Sequence, residues 1–261
     1  GMNTTDSRQD HRRHLRPEHP LDQLERGIVV SCQASPGDPT DSENMILAFA
    51  HAAALGGAAG IRLNSAEHIR AVRAATRLPI IGIQKRRDRT GTLLITESVA
   101  DIEPLVTAGA DIVALGAERR ARPSSLPELI AEAHRLGAYA MADLRSFEDA
   151  EPVVKLGVDI LSTTLSVYDL PPYKPNIEMI AQLVKAYGLP VIAEGNFWDP
   201  EDVVRAFEAG AFAVVIGSAI TRPWLITERY VQSARRFFGL QRTTTGNDDA
   251  EEAPSQGVIV E

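Results

Sequence analysis

The sequence has one cysteine, Cys32, in 261 residues. A lone cysteine cannot form an intramolecular disulfide or contribute to a multi-cysteine metal or redox motif. Such a chain suits a reducing compartment, and we expect a cytoplasmic location. No HxH or HExxH pattern and no carboxylate cluster has the spacing of metal ligands, so we expect no catalytic metal.

Long apolar runs and excess positive charge are also missing. No segment approaches the roughly 18 uninterrupted apolar residues of a membrane span, and the N-terminus is too charged for a signal peptide. The formal net charge of -8 argues against the broad basic face that nucleic-acid binding needs. We therefore expect neither a membrane nor a nucleic-acid partner, and any anion must be bound in a local pocket.

Short β-branched apolar runs alternate with longer amphipathic segments, which is the pattern of parallel strands joined by helices. The candidate strands are Ile28–Gln33, Gly60–Leu63, Ile80–Gln84, Ile112–Leu115, Ala138–Ala142, Ile160–Thr163, Val191–Ala193 and Ala213–Ile216. This spacing predicts an α/β fold of the (β/α)8 or TIM-barrel class in a single domain. An open doubly wound sheet is the alternative, but even spacing and the absence of an N-terminal GxGxxG turn disfavour it.

Glycine recurs where predicted helices lead into predicted strands, at Gly109, Gly137, Gly157 and Gly210. Glycine readily adopts the left-handed conformation that ends a helix, so these repeats support a repeated βα unit. We place the barrel at residues 25–239. Residues 1–24 form a polar leader, part of which can be helical. Residues 240–261 form an acidic tail, which its composition predicts to be disordered.

Several predicted strands contain a polar residue near their end or run directly into one, and the end of the strands is where a barrel of this class keeps its active site. These residues are Gln33, Arg62 with Asn64, Lys85, Asp143, Glu194 and Gly217-Ser218. Any single one is more simply read as a solvated loop charge or a satisfied core group. Together they would converge on one end of the barrel, so we interpret them as a candidate site.

The segment after the eighth predicted strand, from Gly217 to Pro223, indicates a phosphate site. Small residues let backbone amides approach an oxyanion, and Ser218 and Arg222 add a hydroxyl and a cation. Gly195, after the seventh predicted strand, offers another amide. Barrels of this class bind phosphate with these two loops. The alternative is that the glycines only permit tight turns.

Lys85 and Glu194 are the candidates for chemistry. A lysine that is partly desolvated and near Arg62 should have a lowered pKa, so that its neutral amine can act as a base. Glu194 could orient this lysine, bind a substrate hydroxyl or carry a second proton. The same pair also fits a Schiff-base aldolase with Lys85 as nucleophile, and spacing does not separate these mechanisms.

An ordered set of segments resembles the N-acetylmannosamine-6-phosphate 2-epimerase family over residues 25 to 238. The segments are Ser31-Cys32-Gln33-Ala34, Gly60-Ile61-Arg62, Gly82-Ile83-Gln84-Lys85-Arg86, Met141-Ala142-Asp143, Thr163-Thr164-Leu165-Ser166, Val191-Ile192-Ala193-Glu194-Gly195 and Gly217-Ser218-Ala219-Ile220-Thr221-Arg222-Pro223.

The resemblance implies a cofactor-independent enzyme that converts N-acetylmannosamine 6-phosphate to N-acetylglucosamine 6-phosphate in sialic acid and aminosugar breakdown. It implies catalytic roles for Lys85 and Glu194. The resemblance also implies that Gln33, Arg62 and Asp143 hold the sugar, and that Gly195, Gly217, Ser218 and Arg222 hold the phosphate.

The chain departs from the family pattern after the fourth predicted strand, where Gly116 and Glu118 replace an aspartate and a threonine, and at Asn196. These departures keep a related sugar phosphate open as substrate. An aldolase and a non-catalytic sugar-phosphate binding protein are the rival functions. Phe237-Phe238, at the end of the last predicted helix, are compatible with a homodimer.

Overall fold

The computed structural model describes residues 16–242. The start of the predicted leader and nearly all of the predicted tail lie outside this range. Parallel strands close into a barrel, in which the last strand pairs with the first through Ile28 and Val214. The barrel strands are β1 (Ile28–Ser31), β2 (Gly60–Asn64), β3 (Ile80–Ile83), β4 (Ile112–Gly116), β5 (Tyr139–Asp143), β6 (Ile160–Ser162), β7 (Val191–Glu194) and β8 (Ala213–Ile216). Closure confirms the TIM-barrel fold and excludes the open sheet.

Helices connect the strands and surround the barrel. They are α1 (Pro20–Leu24), α2 (Glu43–Leu55), α3 (Ala66–Arg73), α4 (Val99–Ala108), α5 (Leu126–Arg135), α6 (Ala150–Lys155), α7 (Ile177–Ala186), α8 (Pro200–Glu208), α9 (Ser218–Thr221) and α10 (Pro223–Arg242), with a 3₁₀ turn at Phe147–Asp149. Helix α1 lies within the predicted leader, and α10 continues past residue 239, where the sequence places the end of the barrel. No helix among residues 16–242 has the length and apolarity to cross a bilayer.

Local sequence signals decide where several helices begin. Ser42 caps α2, because its hydroxyl accepts the Met45 N–H at 3.2 Å. Ser125 and Glu128 form a reciprocal capping box at the start of α5. These caps satisfy amide groups that the first turn of a helix leaves without partners.

Two apolar cores separate the inside of the barrel from the layer between strands and helices. The inner core includes Val29, Ile81, Ile112, Met141 and Ile192, all fully buried or nearly so. Leu24 of α1 joins this inner core at the N-terminal end of the strands. The barrel is therefore filled and closed below, which leaves its C-terminal end, here called the mouth, for binding.

A hairpin that the sequence did not predict stands between β3 and α4. Its antiparallel strands are Lys85–Arg87 and Leu93–Ile95, and we call it the Lys85 hairpin. Leu93 and Ile95 pack into the inner core with Ile83, so the hairpin is anchored over the mouth. Lys85, which the sequence placed directly after the third strand, is thus the first residue of this hairpin.

The four predicted glycine hinges adopt positive φ: 127° at Gly109, 80° at Gly137, 85° at Gly157 and 100° at Gly210. At Gly109 the space is also occupied, since a Cβ there would lie 2.5 Å from the Cγ and Cδ atoms of Arg73. The buried Arg73 guanidinium donates to Asp111 at 2.9 Å. Gly109 therefore allows this buried ion pair to pack against the α4–β4 turn.

Replacing Gly109 by alanine should destabilise the fold more than replacing Gly137, where a Cβ meets nothing within 4 Å. Gly137→Ala carries only the backbone penalty of positive φ, about 1–2 kcal/mol. Gly109→Ala adds overpacking against Arg73, about 1–3 kcal/mol more. Urea unfolding measures both, and equal losses would contradict the steric role of Gly109.

Candidate active site

Buried polar side chains from β2, β5 and β7 meet at the mouth. Arg62 donates two hydrogen bonds to Asp143, from Nη1 to Oδ1 at 3.2 Å and from Nη2 to Oδ2 at 2.7 Å. The Arg62 Nη1 atom also lies 3.5 Å from Glu194 Oε1. All three residues are at most 1% exposed. The structure thus joins three of the predicted site residues in one buried ionic group.

The hydrogen bonds of Asp143 indicate that it holds Arg62. In addition to both Arg62 bonds, its Oδ1 atom accepts the Thr164 hydroxyl at 2.6 Å. Because that proton goes to Asp143, the Ser162 hydroxyl, 2.7 Å from Thr164 Oγ1, is left as donor to Thr164. The family resemblance implied that Asp143 holds the sugar, and this geometry gives its carboxylate a positioning role.

Thr164 and Ser162 were not among the site residues predicted from sequence. The sequence does contain a pattern that could have identified them, because β6 runs into the polar segment Ser162-Thr163-Thr164 as other strands run into charged residues. Thr163 contacts the backbone of Glu194 instead. Its hydroxyl accepts the Glu194 N–H at 3.1 Å and lies 2.9 Å from the Glu194 carbonyl oxygen, to which it donates. This contact fixes the backbone that carries the Glu194 carboxylate.

The surroundings of Glu194 favour its protonated form. Burial raises the pKa of its carboxyl to about 7, although the positive charge of Arg62 opposes the rise. Its Oε1 atom is buried and lacks a hydrogen-bond partner among the described residues. A carboxyl of this kind can give or take a proton near neutrality.

Lys85 begins the hairpin at the edge of this ionic group. Its backbone N–H donates to Asn64 Oδ1 at 2.8 Å, which ties the hairpin to the end of β2. Desolvation lowers the pKa of its amine well below the usual value, and the charges of Arg222 and Arg62 lower it further, while Glu194 acts in the opposite direction. The lowered pKa agrees with the expectation that this amine can be neutral.

Gln33 follows β1, and its side-chain amide is buried at the mouth. It is 1% exposed, and its Nε2 donates to Ser31 Oγ at 2.7 Å. Its Oε1 atom is buried without a hydrogen-bond partner among residues 16–242. Neighbouring Cys32 is also buried, which raises the pKa of its thiol to about 12 and suits a packing role.

The loops after β7 and β8 form the other side of the mouth. Gly195 has φ 106°, and a Cβ there would lie 2.9 Å from Val167 Cγ1, so both backbone and space call for glycine. After β8, Gly217 leads into α9, and Ser218 and Arg222 are buried at 6% and 7% exposure. The Thr221 hydroxyl lies 3.1 Å from the Ser31 carbonyl oxygen and fastens this loop to β1.

The loop after β8 carries a positive charge at Arg222. Burial lowers the pKa of Arg222, and Asp38 from the β1–α2 loop and Arg87 from the Lys85 hairpin act on it with opposite signs. Arg87 was not predicted from sequence as part of this environment. Within residues 16–242, no group of three or more His, Cys, Asp or Glu side chains could hold a metal ion.

The altered loop after β4 has a coherent local geometry. A Cβ on Gly116 would lie 3.1 Å from both carboxylate oxygens of Glu118, so the Glu118 side chain occupies the space beside this glycine. Arg120 donates to Glu118 and to Glu97. Glycine at position 116 therefore leaves room for the Glu118 carboxylate, so the two departures fit each other.

Comparison with known proteins gives consistent matches. Residues 46–236 match the NanE family model, described as "Putative N-acetylmannosamine-6-phosphate epimerase". A relative with the corresponding 2-epimerase name from Caldanaerobacter subterraneus is 39% identical over 81% of this chain and 92% of its own length, and one from Photobacterium profundum is 42% identical over 78% and 88%. The solved N-acetylmannosamine-6-phosphate 2-epimerase of Clostridium perfringens is 35% identical, with a TM-score of 0.78 over 82% of this chain and 96% of that one.

Asp143→Asn should destabilise the fold strongly, because it leaves the buried Arg62 guanidinium without its main counter-charge. We expect a loss of about 3–5 kcal/mol in the free energy of unfolding. Glu151→Gln is the control: Glu151 pairs with Lys155 at 3.1 Å, but both side chains are largely exposed, so we expect a loss below about 0.5 kcal/mol. Similar losses in urea unfolding would refute the proposed importance of the buried pair.

Proposed function

This chain belongs to the N-acetylmannosamine-6-phosphate 2-epimerase family, and from this premise we propose the chemical role of each site residue. It is an isomerase, and its substrate is N-acetylmannosamine 6-phosphate, which it converts to N-acetylglucosamine 6-phosphate in aminosugar and sialic acid breakdown. The observation that carries the proposal is the placement of Lys85 and Glu194 around buried Arg62, where the pKa of Lys85 is lowered and that of Glu194 is raised to about 7.

The reaction inverts C2 of the open-chain sugar, whose C1 aldehyde makes the C2–H bond acidic. The neutral Lys85 amine removes the C2 proton, and the electron pair moves into the C1–C2 bond to give an enolate. Protonated Glu194 returns a proton to the opposite face of C2, which leaves a Lys85 ammonium and a Glu194 carboxylate. One proton transfer from Lys85 to Glu194 restores the starting state. In the reverse reaction the two groups exchange roles.

Arg62 and Gln33 hold the reacting part of the sugar. The fixed positive charge of Arg62 stabilises negative charge as it develops on C1 oxygen. Gln33 presents its buried Oε1 acceptor to an N–H or hydroxyl of the sugar. Asp143 and Thr164 contribute by keeping the Arg62 guanidinium in one orientation.

The phosphate is held by Gly195, Gly217, Ser218 and Arg222. Backbone amides of the glycine loops, the Ser218 hydroxyl and the Arg222 guanidinium supply donors and charge. Anchoring a phosphate that does not react provides binding energy for placing C2 against Lys85.

We also place the enzyme in the cytoplasm, since its one cysteine is a free and buried thiol. A homodimer remains our prediction. Phe237 and Phe238 on α10 are each 64% exposed, which fits burial against a second copy.

Lys85→Met and Glu194→Gln should each reduce kcat by about 10²–10⁴-fold, the usual contribution of a positioned acid or base. Deuterium incorporation at C2 and epimer formation, followed by NMR in deuterated water, measure this effect. Lys185→Met is the matched control, because Lys185 lies exposed on α7. A folded wild-type protein that neither exchanges nor epimerises would overturn the proposal. Borohydride trapping of substrate on Lys85 would instead favour an aldolase.

The pH profile of kcat/KM should be bell-shaped with one limb near pH 7. The rate falls on the acid side, where Lys85 and Glu194 are both protonated, and on the alkaline side, where both have lost their protons. The two apparent pKa values belong to the coupled pair. Glu194→Gln should leave a single inflection. A profile with both limbs unchanged in this variant would rule out Glu194 as the second proton carrier.

Arg222→Gln should raise KM for the 6-phosphate by about 10-fold or more, as expected from loss of a charge-assisted hydrogen bond. Turnover of unphosphorylated N-acetylmannosamine at high concentration tests whether the effect is specific to phosphate. If the variant impairs both sugars equally, Arg222 does not hold the phosphate.

A further inference from the structure

A second recess opens on the C-terminal face of the barrel, beside the catalytic residues. It has a volume of about 710 Å³, and we call it the side cavity. Its walls are the Lys85 hairpin and the loops after β4, β5 and β6. The lining includes Arg87, Glu118, Arg119, Arg145, Leu165 and Tyr168.

The side cavity adjoins the reacting centre. Arg87 is two positions from Lys85 in the hairpin and lowers the pKa of its amine through charge repulsion. Burial raises the pKa of the Tyr168 hydroxyl to about 12, and the charges of Glu118 and Asp143 act in the same direction. Leu165 directly follows Thr164, which donates to Asp143. A group bound above Arg62 can therefore extend into this space.

The position of the side cavity in the ring indicates which end of the substrate lies closer to it. The proposed phosphate loops follow β7 and β8, whereas the cavity walls follow β3 to β6; in the closed ring these run from β3 and β4, which face β7 and β8, round to β6, which is next to β7. In the open chain, the groups that lie beyond C2 from the 6-phosphate are the C1 aldehyde and the acyl group on the C2 nitrogen. Because C1 must stay at the proton-transfer pair, the N-acyl group is the one directed to the cavity.

The charges in the side cavity indicate what the acyl group should carry. Among residues 16–242, Arg87, Arg119 and Arg145 have no carboxylate within ion-pair distance, and the Arg145 guanidinium stacks 5.2 Å from the centre of the Tyr168 ring. By contrast, Arg120 pairs with Glu97 and Glu118.

The remaining acids of the lining are Asp149, whose Oδ2 accepts the Ser146 N–H at 3.0 Å, and Asp169, which is exposed. Three guanidinium groups without a carboxylate partner therefore face a space much larger than an acetyl group. Guanidinium groups donate hydrogen bonds and bind oxygen acceptors most strongly when these are charged.

We propose that the side cavity binds an N-acyl group longer than acetyl that ends in an oxygen acceptor, with Arg145 as the residue that recognises it. The substrate class is then 2-acylamino-2-deoxyhexose 6-phosphates whose acyl chain ends in a hydroxyl or a carboxylate. This inference rests on the proposed function, because it uses the phosphate anchor and the position of C2.

Reduced open-chain analogues test the proposal without catalysis. We would prepare 2-acylamino-2-deoxymannitol 6-phosphates with N-acetyl, N-glycolyl, N-succinyl and N-butanoyl groups and measure each Kd by calorimetry. N-glycolyl supplies a hydroxyl, N-succinyl a carboxylate, and N-butanoyl a comparable length without an acceptor. The N-glycolyl or the N-succinyl analogue should bind at least about 10-fold more tightly than the N-butanoyl analogue, because one hydrogen bond to a charged group provides this difference in Kd. The stronger of the two identifies the acceptor.

Arg145→Leu should bring this ratio close to one, measured relative to the N-acetyl analogue in the same variant. Arg70→Leu should retain the wild-type ratio, because Arg70 is exposed in the last turn of α3, away from the mouth. Equal binding of the three longer analogues to the wild type, or an unchanged ratio in Arg145→Leu, overturns the cavity proposal alone. If the wild type binds none of the four phosphates, the proposed phosphate site fails and the cavity proposal fails with it.

Discussion

The buried ion pair between Arg62 and Asp143 is the constraint on which the rest of the site depends. Its partners come from β2 and β5, and Glu194 of β7 lies 3.5 Å from the same guanidinium. Removing such charges from water costs several kcal/mol per ion, so the pair is sustained only by good geometry and further hydrogen bonds. The bidentate contact and the Thr164 hydroxyl provide both. One arginine thereby links three strand ends into a rigid floor.

The Arg62 charge also influences the pKa values at the mouth. A fixed positive charge in a desolvated site makes a nearby amine easier to deprotonate, while burial makes a nearby carboxyl harder to ionise. Lys85 and Glu194 experience these two effects, and their pKa values move toward each other. An amine with a lowered pKa and a carboxyl with a raised pKa suit an epimerase, which must run proton transfer in both directions across C2. Burial is the main cause of both pKa shifts, and the Arg62 charge adds to the shift of Lys85 and opposes that of Glu194.

Much of this arrangement was predictable from sequence, because parallel strands in a barrel place their last residues at one end. The strand positions, the glycine hinges and the grouping of Arg62, Asp143 and Glu194 follow from period and position along the chain. The Lys85 hairpin did not follow, since Lys85–Arg87 is short and charged and forms a strand only through pairing with Leu93–Ile95. The positioning role of Asp143 was also inaccessible, because a sequence shows that a carboxylate is present but not which hydrogen bonds satisfy it.

In the loop after β4, the two departures from the family pattern act together. Judged separately, Gly116 removes a side chain and Glu118 adds a charge, and each looks like damage to the sugar-facing wall. In three dimensions the Glu118 carboxylate lies beside Gly116 and is bound by Arg120. A carboxylate thus remains near the end of β4 while it is carried from a different position. Arg120 and Arg122 both lie within ion-pair distance of this carboxylate. The departure from the family pattern therefore lies in the wall of the side cavity, which Glu118 lines.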